Sequence, residues 1–79
     1  TKEQVANYEK EFDRLSEDKE AFLNTANSPG VSSRLIASDQ YAAAYINKVA
    51  EKGMLKDLKE RLPKDLFDRL IKSSQKTGG

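Results

Sequence analysis

Ser38-Asp39-Gln40-Tyr41-Ala42-Ala43-Ala44-Tyr45-Ile46-Asn47-Lys48-Val49-Ala50-Glu51-Lys52-Gly53 is the most apolar stretch of a polar chain. Tyr41, Ala42, Tyr45, Ile46 and Val49 recur at i, i+1, i+4, i+5 and i+8, which on a 3.6-residue helix makes one broad apolar face. Three consecutive alanines carry almost no helix penalty and let neighbouring helices come close. Gly53 follows where a left-handed residue would end the helix, and Lys48 and Lys52 favour its negative end. The pattern predicts a central helix over 39–52 around which the other helices pack.

Working back from Ser38, both Ser38 and Asp39 prefer caps to helix interiors, so the helix is expected to start there. Ser32 or Ser33 is placed to cap a short helix or turn over 33–37. Asn27-Ser28-Pro29-Gly30 reads as a helix–helix turn, because Asn tolerates a left-handed conformation and Pro-Gly is a turn pair. A lone glycine there, without a Gly-Lys-Ser/Thr end, is no phosphate loop. Upstream, Val5, Tyr8, Phe12, Leu15 and Phe22 follow a 3-4 spacing that Lys19 interrupts. This predicts one helix over 2–26, with Thr1 as its cap, although Ser16-Glu17-Asp18 also resembles a helix N-terminus. The Val5–Leu15 seam is short and reads as that of a bundle helix, with the contact of a homodimer as the alternative.

Working forward from Gly53, apolar residues at 54/55, 58 and 62 predict another helix. Pro63 disfavours helix at Leu62 but suits a first helical turn, so a last helix is expected from Pro63 to Ile71. Residues 73–79 are small and polar and are expected to fray as a flexible tail. The fold class is therefore all-α: one domain over 1–72, a small bundle of four helices, or five if 33–37 forms its own.

The whole chain has 79 residues with no cysteine and no histidine. Disulfides and thiolate metal sites are excluded, as are the commonest general base and the commonest transition-metal ligand. Stability must come from helix packing, on a scale of several kcal/mol. No metal or cofactor is expected, and no catalytic residues are assigned. Carboxylate pairs such as Asp65/Asp68 are ordinary helix surface, and the serines have no base at a recognisable spacing. No apolar run approaches a transmembrane span, and a cytoplasmic location is the default.

Charge is unevenly spread. Residues 1–27 hold four basic and seven acidic side chains, whereas residues 28–79 hold ten and six. An acidic segment lying against a basic half of the same domain would account for this. The alternative is a docking ridge for a basic protein partner along Glu9, Asp13, Glu17 and Glu20. Tyr41 and Tyr45 are candidate partner contacts as well, since tyrosine serves interfaces, although core positions with the hydroxyl at the rim suit them better.

Residues 38–55 resemble the recognition helix and exit of a winged helix–turn–helix domain, ending in an apolar-x-x-Lys-Gly-apolar-Leu run. That resemblance implies a DNA-binding helix over 39–52 carrying Gln40, Asn47, Lys48 and Lys52. It departs from the family in that the following segment reads as helix, not a β-wing, and that Asp39 at the groove-facing end would repel phosphate. Seven basic and four acidic side chains are interspersed over residues 54–79, which suits a solvated bundle face better than a membrane-surface helix. The expected function is a non-enzymatic protein–protein interaction module acting as a regulator, adaptor or inhibitor. The DNA-binding reading is its alternative.

Overall fold

The computed structural model describes residues 2–78, with side chains from residue 3 to residue 76. Among these there are six helices and no strand: α1 Lys2–Leu15, α2 Lys19–Thr25, α3 Pro29–Ala37, α4 Asp39–Glu51, α5 Leu55–Arg61 and α6 Lys64–Gly78. The expected all-α class holds, but the count of four or five helices becomes six. The capping role suggested for Thr1, and the end of the tail at Gly79, lie outside the described residues.

α4 is the axis. Tyr41, Ala42, Ala43, Ala44, Tyr45 and Ile46 are buried without a gap, and six consecutive helical positions cover every direction around the cylinder. α6 and then α1 make the most extensive contacts with it, and α3 and α5 also touch it. Ser38 separates α3 from α4, as expected. Its backbone is extended, its N–H donates to the Arg34 carbonyl at 3.0 Å, and its Oγ accepts from the Tyr41 N–H at 3.2 Å. One serine thus closes one helix and opens the next.

At the other end Gly53 has φ +72°. Its N–H donates to the Ala50 carbonyl at 3.0 Å, and the Met54 N–H donates to the Val49 carbonyl at 2.9 Å. This is a Schellman ending, whose left-handed residue glycine adopts without a Cβ penalty. The radius of gyration is 11.1 Å, against about 11.6 Å for a compact chain of this length.

The helix expected over 2–26 is broken. α1 stops at Leu15, and Asp18, with extended backbone, caps α2 by accepting the Ala21 N–H at 3.2 Å. The reason is Lys19. A continuous helix would drive its charge into the apolar seam, whereas the break sends its ammonium 2.9 Å from Asp57 on α5 and lets Phe22 and Leu23 re-enter the core. Leu15, expected on the seam, is 43% exposed instead. Val5, Tyr8 and Phe12 do pack on the core of their own chain.

α3 begins four residues before its expected start. Pro29 occupies the first turn after Ser28, where its fixed φ suits the helix and its missing N–H costs nothing. Pro-Gly is thus a helix start here, and Ser32 and Ser33 lie inside the helix. Leu62 is extended before Pro63, whose carbonyl accepts the Phe67 N–H at 3.0 Å to start α6. The last helix continues past Ile71 to Gly78, and Ser73 is buried. Part of the stretch read as a tail is therefore helix packed on the domain.

Candidate functional site

Two clusters gather most of the residues singled out from the sequence. The first is the seam between α1 and α4, which run in the same direction: Tyr8 meets Tyr41, Phe12 meets Tyr41 and Tyr45, and Asp13 meets Lys48 and Lys52. Tyr45 is fully buried, not at a rim. Its ring lies 5.1 Å from Phe12 and 5.0 Å from Phe22, and its hydroxyl donates to the Phe22 carbonyl at 2.8 Å. Phe22 sits in the last turn of α2, where carbonyls lack intrahelical partners, so Tyr45 caps α2 from another helix. Burial pushes its phenol far above the ordinary tyrosine range. Tyr41 is 6% exposed. Neither ring is displayed as a contact surface.

Lys48 is buried, with its Nζ 3.5 Å from Asp13 and 3.2 Å from Glu51; Lys52 also reaches Asp13, at 3.4 Å. Burial opposes the Lys48 charge, but the hydrogen bond and charge of Glu51, with those of Asp13, outweigh it and hold the pKa above the ordinary lysine value. Asp13 is pulled below the usual carboxylate range by its hydrogen bond from Lys52 and by the Lys48 charge.

The second cluster straps α2 to α5. The Arg61 guanidinium grips both oxygens of Glu20, one of them at 2.9 Å, and Asn27 Nδ2 donates to the Arg61 carbonyl at 3.2 Å. Glu20 is lowered by the hydrogen bond from Arg61, and Asp57 by the one from Lys19.

The four acids read as a ridge do not share a helix. Glu9 is half-buried on α1, Asp13 and Glu20 are ion-paired within the fold, and Glu17 lies exposed in the α1–α2 link. Two acids of the first half of the sequence, Asp13 and Glu20, pair with bases of the second, whereas Lys19 of the first half pairs with Asp57 of the second. The DNA-reading set fares alike. Gln40 is half-buried and Asn47 exposed, and Lys48 and Lys52 are held by Asp13. α5, a helix, stands where a wing would follow.

What the spacing could not reveal is Arg34. Its guanidinium carbon lies 4.5 Å from the Tyr41 ring centroid and 5.6 Å from that of Tyr8. No interval in the sequence links positions 8, 34 and 41.

Among the described residues, two of the surface depressions are each bounded by one helix. Lys10, Glu11, Arg14 and Leu15 of α1 line about 420 Å³, and Asp65, Asp68, Arg69 and Lys72 of α6 line about 330 Å³. They are gaps between side chains, not clefts between elements. Among the described residues no group of three or more acids could hold a metal ion, and no helix is long and apolar enough to cross a membrane.

The paired carboxylates set a pH dependence. The folded pKa values of Asp13, Glu20 and Asp57 are depressed, so the stability these three contribute is present above the ordinary carboxylate range and lost as pH falls through the lower folded values. The melting temperature is expected to be level from about pH 8 to about pH 5 and to fall below about pH 4. In 1 M salt the fall should shrink, because all three carboxylates are exposed to screening. A thermal melt at each pH and salt checks this, and an acid fall unchanged by salt would overturn it.

Comparisons of the chain with family models, with curated proteins and with solved structures find no match.

Proposed function

We propose that the chain is a non-enzymatic helical module that binds another protein through its outer helix faces, as an adaptor, inhibitor or regulator. The observation that supports this reading is the confinement of these two depressions, among the described residues, to single helices. A small-molecule site is usually a concavity between elements with a few convergent polar groups, whereas gaps along one helix suit a surface that another macromolecule covers. Composition agrees, since the sequence has neither histidine nor cysteine to supply a base, a nucleophile or a soft metal ligand. Leu15 and Ile36 are the large apolar side chains left exposed, each at 43%. They lie on different helices, so binding would draw on polar and charged anchors more than on an apolar patch.

The test places a photo-crosslinking residue at Arg14 on α1 or at Arg69 on α6, both exposed, in the otherwise intact chain. Irradiation in an extract of the source cells should give an adduct with one protein from one face. Excess unmodified chain should compete that adduct away. Absence of a competed adduct from both faces overturns the reading. Retention on duplex DNA that salt abolishes, and that Gln40→Ala with Asn47→Ala removes, would favour the DNA alternative. Those two positions are chosen because charge reversal at Lys48 would disturb folding.

A further inference from the structure

α5 is held in the fold differently from the long helices. Of its residues only Leu58 is buried, with Leu62 shielded beside it at the helix end and Met54 and Leu55 half-buried before them. α4, by contrast, is buried over most of its length. A helix of 7 residues is also too short to persist in water by itself. Its place must come from what ties it down.

Those ties are polar and lie at the surface. Asp57 and Arg61, one turn apart on α5, pair with Lys19 and Glu20, which are consecutive on α2. The four side chains are between 31% and 67% exposed, and pairs in water hold weakly and are screened by salt. Asn27 adds its hydrogen bond to the Arg61 carbonyl at 3.2 Å, one of the last carbonyls that a helix leaves unpaired. Losing the ion pairs is also cushioned. Asp57 and Arg61 stand at i and i+4 with the acid first, so they can pair with each other once α2 lets go.

Both ends of α5 are joints. Gly53 holds φ +72° at one end, and Leu62 is extended ahead of Pro63 at the other. The helix runs on into neither α4 nor α6, so α5 can leave without unwinding either of them.

We propose that α5 is a detachable strap, caught by Lys19, Glu20 and Asn27, that opens while the rest of the domain stays folded. It touches α2, α4 and α6, and its release uncovers the apolar surface that Leu58 and Leu62 cover among them. In the closed form Leu15 and Ile36 are the large apolar side chains exposed among the described residues, and they lie on separate helices. Opening therefore creates an apolar surface that the closed domain lacks. The strap requires no partner and stands apart from the protein-binding reading.

Amide hydrogen exchange of the full chain, read by NMR through a urea series, tests this. The probes are the Leu58 and Leu62 N–H groups, which donate to the Met54 and Leu58 carbonyls at 2.9 and 3.0 Å, set against the amides of Tyr45 and Val49 in α4. The α5 amides should be protected at least about tenfold less, and should respond less to urea, because detaching one helix exposes less surface than unfolding the domain. Salt at about 1 M should lower α5 protection about fivefold, and Glu20→Gln combined with Asp57→Asn should do the same. Tyr45→Phe is the control. It should lower protection in α4 and leave α5 unmoved, because opening of the strap keeps Tyr45 in place against α2. One protection level and one urea slope shared by α5 and α4, or an equal fall in both with Tyr45→Phe, would mean that α5 opens only with the whole domain and overturns the proposal. Protection of α5 that ignores both salt and the double variant overturns it as well. If the double variant does not fold, the urea and salt series on the unmodified chain decide.

Discussion

Tyr45→Ala is expected to cost about 3–5 kcal/mol and to leave little of the domain folded at 25 °C, since a chain of this size holds only several kcal/mol in total. Three losses coincide. The Tyr45 ring fills the space between Phe12 and Phe22, with centroids 5.1 and 5.0 Å away, and surroundings relax only partly into such a void. Both ring contacts go with it, and they join α1 and α2 to α4. The Phe22 carbonyl also loses its donor. Tyr45→Phe separates the last effect from the others: it keeps the ring and should cost about 1–2 kcal/mol, the penalty of a buried acceptor left unpaired. In thermal melts that is a fall of roughly 5–15 °C for a domain of this length. A Phe variant as stable as the parent would mean that the hydroxyl does not hold α2, and the capping role assigned to it would fail.

The same residue shows what a single sequence can reveal. The 3.6-residue recurrence of Tyr41, Ala42, Tyr45, Ile46 and Val49 is a local signal, and it located α4 correctly. Ser38, Gly53 and Pro63 are equally local, because each acts through its own φ, its own hydroxyl or its missing N–H. Pairings across the chain carry no such mark. That Lys19 turns outward depends on Asp57, and nothing in residues 16–19 announces a partner on α5. Asp13 reads as one acid in a solvent-facing row until Lys48 and Lys52 close on it. Pro29 was misplaced for a different reason: Pro-Gly serves both as a turn and as a first helical turn, and the deciding factor is where Leu35 must point to be buried. The extension of α6 past Ile71 was hidden because Ser73 is buried by its position against the bundle, not by its own polarity. For the contact of Arg34 with the Tyr8 and Tyr41 rings the sequence held the parts but not their meeting.

Lys48→Glu is the second substitution with a large expected effect, about 3–5 kcal/mol of destabilisation. The Lys48 side chain is only 9% exposed and lies between two carboxylates, whose own exposures are 58% for Asp13 and 61% for Glu51. Reversing the charge would shield a carboxylate from water and set it beside two like charges, with Lys52 the one neighbouring cation left to Asp13. Deleting the charge is a different matter. In Lys48→Met the unbranched stem still packs, Asp13 keeps Lys52, and Glu51 is exposed enough to return to water. The cost should stay within about 1 kcal/mol, because the carboxylates left behind are exposed to water and pairs of that kind contribute little. Urea unfolding of the two variants with a common slope checks the contrast. Acid supplies an internal control, since protonating the introduced carboxylate should narrow the gap between Lys48→Glu and Lys48→Met as pH falls towards about 4. If Lys48→Met instead proved as damaging as Lys48→Glu, the seam between α1 and α4 would need the ammonium itself. The pairing of Asp13 with Lys52 would then be too weak to hold α1 in place.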